Sequence, residues 1–193
     1  MREDHYYEGD AIGANTSVLS SRFRIVTYMI FQYLVYGAIG WIVETSYIYV
    51  VYDHFSRRGL ISHGLPMIPL FGYGGLLIVT LLKRWKHKPA IIYFFSVFLA
   101  TSIEFLTGLS NLYLLNRQTW NYNRIPLSYK GFVALPVSLA WGLLITLIVY
   151  ILEPALEKAF KKSGPIMAGI IWAISFACIY CHFTDFLTLI HLN

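Results

Sequence analysis

Charge is scarce in this 193-residue sequence: Asp, Glu, Lys and Arg make up 13% of it, against 57% hydrophobic residues. Soluble domains carry about a quarter charged residues, so a water-facing surface over most of the chain is excluded. Cysteine is nearly absent, with two residues, which excludes a disulfide framework. No G-x-x-x-x-G-K-[ST] element occurs, so the chain has no phosphate loop with which to hydrolyse ATP by itself. Internal repeats and low-complexity runs are missing as well. The connections between apolar segments, about 6 to 15 residues each, are too short to hold a soluble catalytic domain.

What is present is apolar chain in helix-sized pieces. A hydrocarbon core of about 30 Å needs about 20 mostly apolar residues, and five segments approach that length: 25–52, 66–82, 89–116, 132–152 and 165–190. The expected fold class is all-α, a polytopic integral membrane helix bundle of about five transmembrane helices forming a single domain over 25–193. Residues 1–24 are polar and mixed in charge, and read as a short disordered or surface-lying arm. The first apolar segment is too long for a signal peptide and lacks an A-x-A-like cleavage site.

Lys and Arg are retained on the cytoplasmic side of a membrane. With the N-terminus inside, the cytoplasmic pieces hold Arg2, Arg22, Arg24, Lys83, Arg84, Lys86, Lys88, Lys158, Lys161 and Lys162, while the outer loops hold Arg57, Arg58, Arg117, Arg124 and Lys130. Ten against five predicts a multi-pass protein of the cell membrane with a cytoplasmic N-terminus and an outer C-terminus. The net charge of +5 is accounted for by basic loops beside anionic membrane lipids, without nucleic acid as a partner.

Charged groups inside hydrocarbon cost about 2.5 to 3.5 kcal/mol each on the insertion scale, which makes them functional candidates. Glu44, Glu104 and Asp185 qualify, and alternating helix directions place all three in the outer half of the membrane. Glu104, Thr107, Gly108 and Asn111 follow i, i+3, i+4, i+7 spacing and form one polar stripe. Gly37, Gly40 and Trp41 share the Glu44 face. Arginines of the outer loops are available counter-charges, which a buried carboxylate needs. Two readings follow: ion pairs that fix helix geometry, or a polar cavity open to the outside where a substrate headgroup, cation or proton meets the carboxylates, which in an enzyme would do general acid–base work or hold a divalent cation.

The stretch SRRGLISHGLPMIPLFGYGG, residues 56–75, places Pro66 and Pro69 at the start of the second apolar segment and Gly72, Gly74 and Gly75 within it. A broken or re-entrant segment over 59–75 is expected, with irregular backbone that protein or a wet cavity must satisfy. The other outer loop, NRQTWNYNRIPLSYKG, interleaves Trp120, Tyr122 and Tyr129 with Arg117, Arg124 and Lys130. That mixture suits either the binding of a phosphate or sugar or an interfacial aromatic anchor.

Near the end the chain reads CIYCHFTD, residues 178–185. Cys-x-x-Cys-His is the attachment signature of a c-type haem. It is also three soft ligands for a metal. On a helix Cys178, Cys181, His182 and Asp185 share an arc of about 100°, with Ser175 extending the stripe and Ile171, Ala173, Ile174, Phe176, Ile179 and Phe183 assigned to the opposite side. The expected role is a helix face packed in the bundle, with Asp185 joining the polar site and no metal assigned.

Five motifs carry a resemblance: FQYLVYGAIGWIVE, RRGL followed by PLFGYG, EFLTG, WNYN and KGFVALPVSLAWG, in that order. Over about residues 28–148 the chain resembles the ABC-transporter type IV (CmpB-like) membrane protein family, and it is similar to the animal transmembrane protein 229 group. The family pattern falls on Gly40, Trp41, Glu44, Arg58, Gly59, Pro69, Gly72, Gly74, Glu104, Gly108, Trp120 and Tyr122. The chain departs from it at Arg57, where the family has Asn, at Leu65-Pro66, where it has Gly-Pro, and at Asn121 and Asn123, which stand for the Asp and Ser of the family's Trp-Asp-Tyr-Ser. The resemblance implies a permease or substrate-binding membrane subunit of a transporter, with an ATPase partner docking on the cytoplasmic loops KRWKHK and EPALEKAFKKSG. The alternative class is a membrane-embedded enzyme acting on a lipid or lipid-linked headgroup. The expected site comprises Glu44 and Glu104 as the acid–base pair and Arg58, Gly59, Gly72, Asn111, Trp120, Tyr122 and Asp185 as substrate contacts. A cofactor is not specified, and a homo-oligomer is left open.

Overall fold

The computed structural model describes residues 4–55, 57 and 59–191. The described chain is almost entirely helical. Its helices are α1 (Asp4–Tyr52), α2 (Pro69–Leu82), α3 (Pro89–Leu115), α4 (Leu135–Leu147), α5 (Glu153–Lys161) and α6 (Pro165–His191). A π segment, Ile148–Leu152, joins α4 to α5, and a two-stranded antiparallel hairpin pairs β1 (Ser128–Tyr129) with β2 (Val133–Ala134). Four stretches are long and apolar enough to cross a membrane: Ser20–Val50, Pro89–Leu114, Leu135–Lys161 and Pro165–Asp185. Large apolar side chains on them remain exposed, among them Phe94, Phe98, Leu106, Phe176 and Ile179, as lipid-facing residues must.

One expectation is revised here. The second apolar segment forms a helix of only 14 residues, about 21 Å at 1.5 Å per residue, short of a full crossing. Its cause is local: a residue preceding proline is pushed out of the α region, and Pro66 and Pro69 together keep residues 64–68 irregular. A 3-10 turn, Gly59–His63, precedes them, so the segment is broken where the glycines and prolines indicated. Residues 4–24 are helical and continuous with the rest of α1. No proline occurs before Pro66 to interrupt that helix, and it ends where Asp53 takes a left-handed φ of 52°.

The chain forms two compact units, one of residues 1–69 and 163–193, the other of residues 70–162. In the first, α1 packs on α6. The indole N–H of Trp172 donates to Thr27 Oγ1 at 3.1 Å, the Thr27 hydroxyl donates to the Phe23 carbonyl, and the Phe23 and Trp172 rings stack with centroids 5.8 Å apart. The buried stripe of α6 is Ile171, Ser175, Cys178 and Cys181. Ile171 thus lies with the cysteines rather than opposite them, because seven residues are nearly two whole turns.

In the second unit α3 packs on α4. Gly142 permits this approach, since a Cβ there would overlap Val97 Cγ2. Phe71 and Trp141 meet with ring centroids 4.9 Å apart. Ile92, Ser96, Ser138, Ile145 and Val149 are buried.

Candidate functional site

In the second unit the polar stripe of α3 holds down the 117–134 loop at three levels. Lowest on the helix, Glu104 Oε1 accepts a hydrogen bond from the Tyr122 hydroxyl at 2.8 Å. One turn on, Gly108 leaves room for two rings: a Cβ there would lie 2.7 Å from Phe132 and 3.4 Å from Trp120. One turn further, Asn111 Nδ2 donates to Thr119 Oγ1 at 3.0 Å, and the Asn111 carbonyl accepts the Arg117 amide. The i, i+4, i+7 spacing puts all three on one side of the helix, where they meet successive parts of one loop.

The loop is also closed on itself. Trp120 Nε1 donates to the Phe132 carbonyl at 2.8 Å and the Tyr122 amide donates to the Gly131 carbonyl at 2.9 Å. Gly131 has a φ of 72°, and a side chain there would strike Asn121 Oδ1, Asn123 Oδ1 and Gln118 Nε2. Asn121 Oδ1 already accepts the Asn123 amide at 2.8 Å, a local turn bond that suits an Asn at this position. The ring of Trp120 is half-buried over Gly108.

In the first unit the chain after α1 forms a closed loop. The Leu60 amide donates to the Met67 carbonyl at 2.9 Å, and Leu65 donates back to Leu60. Gly59, with a φ of 73°, makes this closure; a Cβ there would overlap the Met67 carbonyl oxygen. The loop is fixed to α1 by a bond from the Ile68 amide to the Gly37 carbonyl, 3.0 Å, at a glycine whose missing Cβ makes space for Met67. It meets α6 twice: His63 Nε2 and Asp185 Oδ1 are 2.8 Å apart near the surface, and the Cys178 thiol and Met67 Sδ are 3.2 Å apart in the interior. Irregular backbone at this depth is tolerable because these bonds satisfy it.

Glu44 is half-buried on α1, and Trp41 meets Phe55 edge to face at 5.9 Å. Among the described residues, Trp41 Nε1 and Thr45 Oγ1 are buried with no hydrogen-bond partner. Such orphaned donors cost about 1 to 3 kcal/mol each and are where a ligand's acceptor would be rewarded.

The structure therefore brings Glu104, Asn111, Trp120 and Tyr122 together in one unit, where Gly72 is also buried, on α2. Glu44, Gly59 and Asp185 belong to the other unit. Arg58 lies outside the described residues. His63 and Met67 were missed by sequence reasoning: each is a single loop residue with no periodicity behind it, and only the closure at Gly59 makes them neighbours of α6.

Both thiols of the Cys-x-x-Cys-His stretch are free, and both side chains are buried, Cys178 at 1% and Cys181 at 7% exposure. They face the packed interior of the first unit. Among the described residues no group of three His, Cys, Asp or Glu side chains converges to hold a metal ion.

At the basic end of the second unit, Glu153 is 3% exposed and its carboxylate stands 4.0 Å from Lys83 Nζ. Beside it the Tyr150 hydroxyl donates to the Lys86 carbonyl at 2.6 Å. These two contacts tie the 83–88 stretch to the π segment and α5, so that Lys83, Arg84, Lys86 and Lys88 share one end of the unit with Lys158, Lys161 and Lys162. All seven are exposed.

The model of the family described as "Putative ABC-transporter type IV" matches residues 31–189. The match takes in α6 and so runs well past residue 148, where the resemblance in the sequence motifs stops. No curated protein and no solved structure matches the chain.

Proposed function

The chain belongs to the ABC-transporter type IV family, and from that premise we propose that it is the membrane-embedded permease or substrate-binding subunit of a transporter. The observation that carries this reading is the family match over 31–189 on a chain whose long helices are apolar enough to span a membrane. A chain without a phosphate loop must obtain ATP hydrolysis from a partner. The basic end formed by the 83–88 stretch and α5 is the proposed docking surface for that ATPase, with Glu153 and Tyr150 holding its two parts in register. At the other end of the second unit, predicted to face outward by the distribution of Lys and Arg, the Glu104–Tyr122 cap is the proposed substrate contact; in the first unit, taken by itself, the Glu44 face is a proposed polar site.

Mass spectrometry of the protein drawn gently from its native membrane tests the reading. A stoichiometric ATPase is expected, and neutralising Lys83, Arg84, Lys86 and Lys88 together is expected to lower its recovery about tenfold, as loss of several interface charges does. Recovery of the protein with a bound lipid and no ATPase would favour the lipid-headgroup enzyme instead. Glu104→Gln keeps an acceptor for Tyr122 and removes the charge, so the protein should persist in the membrane while function is lost. A cysteine introduced at Asn121 should react from outside whole cells. Reaction only after permeabilisation would overturn the proposed sidedness.

A further inference from the structure

We propose that Met67, Cys178 and Cys181 form a binding site for a soft monovalent metal ion, Cu(I), between the closed loop after α1 and the buried face of α6. The sulfur atoms of Met67 and Cys178 are 3.2 Å apart, and the two residues are 4% and 1% exposed. Metal–sulfur bonds of about 2.3 Å allow two ligating sulfurs to lie up to about 4.6 Å apart, so one ion can bridge this pair if it opens slightly. Cys181 follows three residues on, on the same buried stripe, where i, i+3 spacing sets the side chains about 5 to 6 Å apart.

The donor set selects the ion. Thiolate and thioether together favour Cu(I) over harder divalent ions, which need carboxylates, imidazoles or four closed ligands. The lack of a convergent group of His, Cys, Asp and Glu among the described residues argues against zinc, but it does not bear on a site whose central ligand is a methionine. Charge points the same way. When Cu(I) binds, the Cys178 Sγ–H bond breaks, the proton leaves to buffer, and a Cu–S bond forms; Met67 Sδ contributes a lone pair, Cys181 keeps its proton beside them as a neutral thiol, and no electron is transferred. One thiolate with one Cu(I) is neutral, so the complex avoids the penalty of a net charge in a low-dielectric interior.

Met67 is also unusually well positioned for a methionine. Its carbonyl is held by Leu60, its side chain is pressed against Gly37, and the following amide is bonded to the Gly37 carbonyl. A flexible side chain acting only as core filler needs none of this; a thioether that must meet a thiol does.

The test uses the full chain, purified under anaerobic reducing conditions and titrated with Cu(I) against a chromogenic Cu(I) chelator. One Cu(I) per chain is expected, with an absorption-edge spectrum showing a sulfur-only shell. The Cys178→Ser/Cys181→Ser double variant should lose the site, and Met67→Leu, which keeps the volume, should weaken it at least about tenfold. Because the sequence has only these two cysteines, the ultraviolet thiolate-to-Cu(I) charge-transfer absorption that grows during the titration reads this site alone and serves if the serine variant does not fold. Stoichiometric binding that survives in the double variant, affinity unchanged in Met67→Leu, or a titration that raises no thiolate–Cu(I) absorption would each overturn the proposal.

Discussion

Gly59→Ala is expected to destabilise the protein by roughly 2 to 5 kcal/mol, the sum of a left-handed backbone imposed on a residue with a side chain and an overlap that cannot relax. The first part follows from the φ of 73°, the second from a Cβ placed against the Met67 carbonyl oxygen. That oxygen is backbone and accepts the Leu60 amide, so it cannot swing aside as a side chain would. Losses of this size are a large part of the 5 to 15 kcal/mol typical of a folded protein, and the variant should be depleted from the membrane as well as melting earlier in detergent. Gly64→Ala is the matched control. Its φ is 79°, but nothing lies within 4 Å of the added carbon, so only the conformational cost of about 1 to 2 kcal/mol remains. Equal melting temperatures for the two variants would show that the Met67 contact is not what makes position 59 a glycine.

Gly108→Leu is expected to release the 117–134 loop from α3 without unfolding the helices. The first added carbon already sits 2.7 Å from the Phe132 ring, and the rest of the side chain would occupy the space of Phe132 and Trp120. Overpacking of this kind costs about 1 to 3 kcal/mol, though the better helix propensity of Leu offsets roughly 1 kcal/mol. The loop should give way first, because its other attachments to α3 are single hydrogen bonds and the ring contacts of Phe105 with Tyr129 and Phe132, the second of which is displaced with the Phe132 ring. Trypsin cleavage after Arg117 and Arg124 should accelerate at least about tenfold, equivalent to 1.4 kcal/mol, with the helical signal unchanged. Tyr122→Phe removes one bond to a carboxylate, worth about 1.5 to 3 kcal/mol, and should loosen the loop to a similar extent while leaving Trp120 in place. If Gly108→Leu leaves cleavage unaltered, the loop is not held on the α3 stripe.

Much of this was legible in the sequence because bilayers impose simple rules. Apolar length gave the spans, and the prolines at 66 and 69 marked the one segment that would not behave as a full crossing. The i, i+4, i+7 stripe at Glu104, Gly108 and Asn111 was readable from spacing alone, and so was the shared face of Cys178 and Cys181. What the stripe grips was not readable. The pairing of Glu104 with Tyr122 and of Gly108 with Phe132 depends on how a 19-residue connection folds back, and no local pattern encodes that. His63 and Met67 illustrate the same limit, since loop closure at Gly59 decides their partners. Gly108 was visible only as a member of the Glu104 stripe and Gly37 only as part of the Glu44 face, without any indication of what meets them.

The shortness of α2 makes the lipid itself part of the design. Its 14 helical residues extend about 21 Å, and the next two, Lys83 and Arg84, are charged and exposed, so the helix cannot be lengthened into hydrocarbon about 30 Å thick. Such a shortfall costs fractions of a kcal/mol per ångström, met by thinning the bilayer or drawing headgroups and water inward. Over about 9 Å that amounts to several kcal/mol, comparable to the free-energy gap between two conformations of a switching protein. Lipid dimpled around α2 would shorten the apolar path across the membrane. Reconstitution into bilayers of increasing acyl-chain length should therefore lower the protein's stability steadily; a flat response would mean that neighbouring chain, rather than lipid, covers the end of the helix.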